Sequence, residues 1–351
     1  MYQMEEKISE QIQEFLKKSF ELYDYFKQSI SDSVPFSPQH IYIEPTNLCN
    51  LNCQHCARSS IKRKMVLMSN NVFTAVLAQL KQAGWQVKIT LTGQGEPLLH
   101  KNIVGFVKQA KEKGLFVSII TNGTALTKEL GEKLIGAGLD RIQFSFDSVV
   151  KETYENIRRG ANFEKTLASI LQFLETNEKA GHPCFVSVAS VQSEKPAKEK
   201  DVFLEFWKKH PVDNVFLAPL SSLQGKSEIS NQAKHQVKRQ ICVLPFLNMS
   251  VKADGNVVGC PHDYDNVYVI GNVLENNLAD IWNSERMCYL RKSIMESQFD
   301  YFQNIGHDCE SCNNYAIGYG LDDFLKDYFL RLEKNLEPYF TKNKDAGQKN
   351  N

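Results

Sequence analysis

The chain has no surplus of either charge: 41 Lys and Arg residues stand against 41 Asp and Glu in 351. A net charge of zero withholds the attraction that nucleic acids and other polyanions need, leaving only the basic stretch Ile61 to Lys64 (IKRK) as a cationic spot. Long apolar runs are missing too. No stretch of about 18 apolar residues occurs, so no membrane span is indicated. The charged beginning MYQMEEKISEQ has no apolar centre of the kind a secretion signal carries. Cytoplasmic residence is therefore expected. Nine cysteines in a reducing compartment point to metal rather than disulfides, because seven of them fall into C-x3-C-x2-C, C-x17-C and C-x2-C groups. An apolar content of 42% is enough for a large core, in one domain or in one with an appendage.

The first group, Cys49, Cys53 and Cys56, follows a short apolar run (Ile41, Ile43) that reads as a strand ending at Pro45. It lacks a fourth cysteine. Thiolates so spaced gather round one soft centre, either zinc or an iron-sulfur cluster. Structural zinc wants four protein ligands, and only His55 is local, squeezed between Gln54 and Cys56 where the loop can hardly turn it inward. A four-iron cluster held by three cysteines leaves one iron open to a cofactor or substrate. The stretch resembles the radical S-adenosylmethionine (SAM) superfamily, whose motif is C-x3-C-x-aromatic-C after the first strand of a partial barrel. His55 stands in the aromatic slot, where that family more often has Tyr, Phe or Trp.

From Ile41 onward, apolar runs at 40–44, 87–92, 115–120, 141–146, 184–191 and 214–220 alternate with four helical patterns, each closing on a Gly where a C-cap belongs. Strand and helix in alternation give a parallel sheet with right-handed crossovers. Six such strands match the partial (β/α)6, TIM-like barrel of the resembling family, an α/β fold whose sites lie at the C-terminal ends of the strands. There the chain places Thr92-Gly93-Gln94-Gly95-Glu96-Pro97, where Gly93 and Gly95 allow close backbone approach to a ligand and Glu96 can accept from an ammonium. The turn is otherwise an ordinary strand-to-helix loop; in this position it resembles the family's GGE motif, which holds the amino group of SAM. The turn Thr121-Asn122-Gly123 is an equally open choice between ligand contact and structure. Ser145 and Asp147 fall on one side of the fourth strand with Phe144 and Phe146 on the other, and resemble the family's ribose motif. Val188 and Ser190 are placed, on position alone, beside the adenine.

Beyond a polar linker starting near residue 221, Cys242, then Gly255, then Cys260 frame a stretch that alternates like a hairpin turning at Asp254-Gly255, which would bring both cysteines to one end. After a helix expected from about Leu278 to Ser297, Cys309 and Cys312 supply two more thiols. The pattern resembles the shortened SPASM extension called a twitch domain, which binds one auxiliary [4Fe-4S] cluster; the four thiolates would equally hold structural zinc. Cys184 and Cys288 are expected simply to be buried. The division that results is a helical extension (1–39, with an amphipathic face over residues 4–31), the barrel (40–220), the linker and auxiliary domain (221–341, ending in a helical stretch at 320–340) and a polar tail (342–351).

The resemblance implies a radical SAM enzyme. The cluster on Cys49, Cys53 and Cys56, with SAM held by Gly93, Gly95, Glu96, Ser145 and Asp147, would yield a 5′-deoxyadenosyl radical that takes hydrogen from a substrate. A single auxiliary cluster on Cys242, Cys260, Cys309 and Cys312 suits a two-electron oxidation of a small hydroxylated molecule. A peptide maturase and a zinc-bound scaffold without activity are the alternatives. Arg158, His262, Asp263 and Asp265 are available as a base without a choice among them. A flavodoxin or ferredoxin is the expected electron donor; neither a nucleic acid nor a membrane is an expected partner.

Overall fold

The alternating pattern folds into strands and helices in turn. In the computed structural model the described residues are 37–233, 242 and 244–313. The helical stretches expected at 4–31 and 320–340, and the polar tail, lie outside them. The barrel half runs β1 (His40–Ile43), α1 (Asn70–Gln82), β2 (Lys88–Leu91), α2 (Ile103–Lys111), β3 (Phe116–Thr121), α3 (Lys128–Gly136), β4 (Arg141–Ser145), α4 (Lys151–Ile157), α5 (Phe163–Lys179), β5 (Phe185–Gln192), α6 (Lys200–Trp207) and β6 (Asn214–Pro219). Ser69, Thr127 and Asn162 begin α1, α3 and α5 by accepting from the N–H groups of Val72, Leu130 and Lys165. The four expected helices stop at the expected glycines, all at positive φ.

The six strands pair in parallel and in sequence order. On the helix-facing side Ile41, Ile89, Val117, Ile142, Phe144 and Val186 are fully buried, each contributing roughly 1.5–3 kcal/mol for a large side chain. Phe144 meets Phe173 of α5 edge-on at 5.6 Å, and Phe146 packs on Tyr154 and Trp207. The other side of the sheet is polar: His40 Nε2 bonds Thr90 Oγ1 at 2.7 Å and Arg141 Nη2 donates to Ser187 Oγ at 3.2 Å. Register corrects one expectation. Phe144 pairs with Val188 and Ser145 with Ala189, and paired residues point to the same face. Val188 and Ser190 therefore face the helices, away from any adenine on the Ser145 side. Ser190 Oγ donates to the Asp147 carbonyl at 2.7 Å.

The C-terminal half adds β7 (Asn248–Val251), β8 (Asn256–Val258), β9 (Val269–Asn272), α7 (Leu278–Trp282) and α8 (Glu285–Glu296). The β7–β8 hairpin turns where expected, with Gly255 at φ +87° donating to the Lys252 carbonyl at 2.9 Å. β7 pairs in parallel with the free edge of β1, from His40 opposite Asn248 to Ile43 opposite Val251. The result is one nine-stranded sheet in the order β9-β8-β7-β1-β2-β3-β4-β5-β6. The hairpin between Cys242 and Cys260 is thus an extension of the barrel sheet. The single helix expected from Leu278 to Ser297 is two, because Ser284 caps a fresh start by accepting from Met287 N. Fully buried Arg291 staples the two: it donates to Asn283 Oδ1 and the Pro245 carbonyl and lies 4.3 Å over the Trp282 ring. Among the described residues no helix is long and apolar enough to cross a membrane.

Candidate metal centres

The first cysteine loop leaves β1 at Glu44 and Pro45. Its residues Asn52 and Cys53 form a two-residue strand pairing antiparallel with Arg158 and Arg159. Cys49, Cys53 and Cys56 are all free and half-buried, and donors face two of the sulfurs: Leu51 N lies 3.5 Å and Asn122 Nδ2 3.8 Å from Cys49 Sγ, and Arg158 Nη1 4.0 Å from Cys53 Sγ. Burial pushes all three thiols up, Cys53 to about 12 even with Arg158 pulling it down, and the neighbouring cysteines add to the rise at Cys49 and Cys53. As thiolates on one loop the three would need a cationic centre to hold their charge, and N–H groups beside sulfur are what such a centre uses.

The turn after β2 is pressed onto this loop. A Cβ on Gly95 would sit 2.3 Å from the Leu48 carbonyl oxygen and 2.4 Å from that of Thr46; one on Gly93 would sit 2.4 Å from Glu44 Cγ. The close approach expected of these glycines toward a ligand is, in the structure, toward the cysteine loop and its root. Glu96 is buried; its Oε1 accepts from Leu98 N (2.9 Å) and Thr121 Oγ1 (2.6 Å), and its Oε2 from Asn122 N (2.7 Å). Burial raises its pKa against these donors. The carboxylate joins the turn after β2 to Thr121-Asn122-Gly123, and through Asn122 to Cys49, keeping one acceptor direction on Oε2 unused by these three bonds.

Ser145 ends β4, half-buried. Asp147, two residues on, is 1% exposed: Oδ2 lies 2.8 Å from Arg158 Nε and 3.8 Å from His55 Nδ1, and Oδ1 accepts from Val191 N at 2.8 Å. This corrects the expectation that Asp147 offers its carboxylate to a ribose, since a buried ion pair to Arg158 takes it. Burial opposes the Arg158 charge, but Asp147 and Cys53 hold it protonated.

A second buried ion group went unforeseen. Glu44 accepts from Arg63 Nη1 (2.7 Å) and Nη2 (2.5 Å), from Gln94 N (3.0 Å) and from Ala253 N (3.4 Å). Burial raises its pKa, yet Lys252 and Arg63 carry the net result below the ordinary value. Arg63 Nε also donates to the Tyr264 carbonyl at 2.7 Å. One carboxylate therefore holds the root of the cysteine loop, the turn after β2 and the C-terminal hairpin. The only sequence signal was a carboxylate at a strand end, directly before Pro45.

The second group converges as its spacing suggested. Cys242 precedes the turn into β7 and Cys260 follows β8; with Cys309 and Cys312 they line one cavity, shared with Gln224, His262 and His307. Burial, then the other three cysteines, pushes the Cys260 thiol far up. His262 Nδ1 lies 3.0 Å from the Tyr264 hydroxyl, while buried Nε2 has no hydrogen-bond partner. Burial and Lys252 push this imidazole down to about 3. The other candidate bases have structural duties. Asp263 accepts from Val267 N and Tyr268 N, and Asp265 accepts from Lys62 N and Lys226 Nζ. Cys184 is buried as expected, whereas Cys288 is only half-buried.

Two stretches of the chain match known families. Residues 43–182 match the radical SAM superfamily and residues 242–313 the SPASM iron-sulfur cluster-binding domain. The tungsten-containing aldehyde ferredoxin oxidoreductase cofactor-modifying protein of Pyrococcus furiosus is 25% identical over 72% of this chain and 83% of its own. The S-adenosyl-L-methionine-dependent 2-deoxy-scyllo-inosamine dehydrogenase of Niallia circulans is 23% identical over 79% of this chain and 93% of its own. The structure of Streptococcus suis SuiB bound to precursor peptide SuiA shares the fold, with a TM-score of 0.59 and 15% identity over 72% of this chain and 66% of SuiB.

Proposed function

Since the chain carries a radical SAM domain followed by a SPASM iron-sulfur cluster-binding domain, we propose that it is an oxidoreductase carrying out a two-electron, dehydrogenase-like oxidation of a small hydroxylated molecule. Cys49, Cys53 and Cys56 would hold the SAM-binding [4Fe-4S] cluster; Cys242, Cys260, Cys309 and Cys312 would hold one auxiliary [4Fe-4S] cluster. When bound, the first group with SAM supplies a 5′-deoxyadenosyl radical for hydrogen abstraction, and the second supplies an electron-accepting site. One observation carries the reading: four thiols, not three, line the second cavity. Four protein ligands close a centre against substrate, whereas three leave a position open. The dehydrogenase similarity over most of both chains supports the same class.

The protein's own contribution is placement and exclusion of water. Glu96, fixed by three donors, presents its remaining acceptor direction to the SAM amino group. Gly95 lets that turn seat against the cysteine loop. Ser145 offers a hydroxyl to the ribose, and Asp147 acts behind it by holding Arg158 against Cys53. A flavodoxin or ferredoxin supplies the reducing electron.

Anaerobic reconstitution tests this. Wild type should hold about eight irons and the Cys309→Ala/Cys312→Ala variant about four. Both should form 5′-deoxyadenosine from SAM and dithionite, while only wild type oxidises polyhydroxylated alcohols. Zinc without deoxyadenosine would overturn the enzyme reading. Consumption of a peptide with no alcohol oxidation would replace the substrate class.

A further inference from the structure

The imidazole of His262 lines the four-cysteine cavity, and it is held at one nitrogen only. Its Nδ1 is 3.0 Å from the Tyr264 hydroxyl, and Tyr264 is itself locked: it is 2% exposed, its carbonyl accepts from Arg63 Nε, and Lys226 Nζ lies 5.5 Å over its ring. The other nitrogen, Nε2, is buried and without a partner. A buried polar atom left without a hydrogen bond is destabilising, so something the cavity takes up is expected to satisfy it.

Which proton the ring carries follows from what it faces. Were Nδ1 the protonated nitrogen, Nε2 would leave a buried lone pair on a ring that lines the cavity, where thiolate ligands offer it no donor. With the phenol donating to Nδ1, Nε2 carries the hydrogen and offers a donor to the cavity. The phenol, able to donate or accept, donates to Nδ1 in this tautomer and so orients the ring. We propose that His262 Nε2–H is a hydrogen-bond donor to the sulfur atoms of an iron-sulfur centre held by Cys242, Cys260, Cys309 and Cys312, with Tyr264 as the residue that orients it. A donor to cluster sulfur stabilises the reduced, more negative form and so raises the reduction potential. His262 is thereby a setting of the auxiliary centre's potential rather than the base that its proximity suggests. The inference rests on the auxiliary-cluster reading above.

The experiment is an EPR-monitored redox titration of anaerobically reconstituted full-length protein, comparing wild type with His262→Leu, His262→Gln and Tyr264→Phe at measured iron content. The auxiliary-centre signal is identified by its absence from Cys309→Ala/Cys312→Ala. The expected result is a midpoint lowered in His262→Leu, partly recovered in His262→Gln and lowered less in Tyr264→Phe, with the SAM-binding centre unmoved. Electron-nuclear double resonance should show an exchangeable proton on the auxiliary centre that His262→Leu lacks. A wild type with one cluster's iron would overturn the functional reading and the inference together. Two clusters with an unchanged midpoint in His262→Leu would overturn the inference alone. Should His262→Leu fail to retain its second cluster, Tyr264→Phe decides: a lowered midpoint supports the assignment and an unmoved one overturns it.

Discussion

The two cysteine groups are assembled by opposite routes. Cys49, Cys53 and Cys56 sit on one loop at the end of β1, so most of that site is local and the fold need only press neighbours onto it. Those neighbours are the turn bearing Gly95 and Glu96, the Asn122 turn, and Arg158 paired across Cys53. Cys242, Cys260, Cys309 and Cys312 come from both sides of a hairpin and from beyond three helices, and nothing local holds them together. The contrast teaches where each site is vulnerable. The first fails through its neighbours, the second through the sheet extension that carries it. Glu44 belongs to both, since it bonds Arg63 and Gln94 on one side and Ala253 on the other.

The comparison breaks most completely at that residue. Glu44→Ala leaves Arg63 and Lys252 buried without their shared counter-charge, and removing one partner of such a group costs about 3–5 kcal/mol. The expected outcome is a lowered unfolding midpoint in urea and loss of iron from both centres; loss from one alone would show that the sites do not share this support. Glu44→Gln probes the charge itself. Because the folded carboxyl titrates below its ordinary 4.5, the stability it contributes is complete above that value and disappears as the pH falls through the folded pKa. Wild type and Glu44→Gln should therefore differ in urea midpoint at pH 7 and converge as the pH drops below 4.5. A constant difference would place the effect in shape rather than charge. Gly95→Ala separates the sites again: its Cβ would meet the Leu48 and Thr46 carbonyls, forcing the first loop to shift at about 1–3 kcal/mol. Iron should fall by half, with the auxiliary EPR signal intact. Equal loss from both centres would refute the local reading of that glycine.

Much of this was legible beforehand for a physical reason. Cysteine spacing reports which thiols can converge, and glycine caps with alternating apolar runs report strands and helices, so the six strands and both cysteine groups were visible in the chain. Three things were not. The parity of β5 depends on its register against β4, which put Val188 and Ser190 on the wrong face. Asp147 looks the same in sequence whether it meets a ribose or Arg158, because the arginine arrives through a separate two-residue pairing. Glu44 could not be seen as shared, since its cations come from residues 63 and 252. Where a site is built by contacts across the sheet, residue type alone leaves the partner open.

The smallest effect sharpens the comparison best. Asn122 Nδ2 lies 3.8 Å from Cys49 Sγ and 3.2 Å from Asn50 Oδ1, while its Oδ1 accepts from Thr124 N and Oγ1. Asn122→Ala removes these side-chain bonds but keeps the backbone N–H that Glu96 uses, so the turn should survive at a cost of about 0.5–1.5 kcal/mol for each neutral bond lost. The proposed first cluster loses a donor beside its Cys49 sulfur, and its midpoint should fall while the auxiliary midpoint stays fixed. Against His262→Leu, expected to move only the auxiliary centre, this gives a crossed pair of titrations. If each substitution moves its own centre alone, the sites are electrostatically separate despite their common hold on Glu44. If either moves both, the contacts through Arg63 and Tyr264 transmit more than mechanical support.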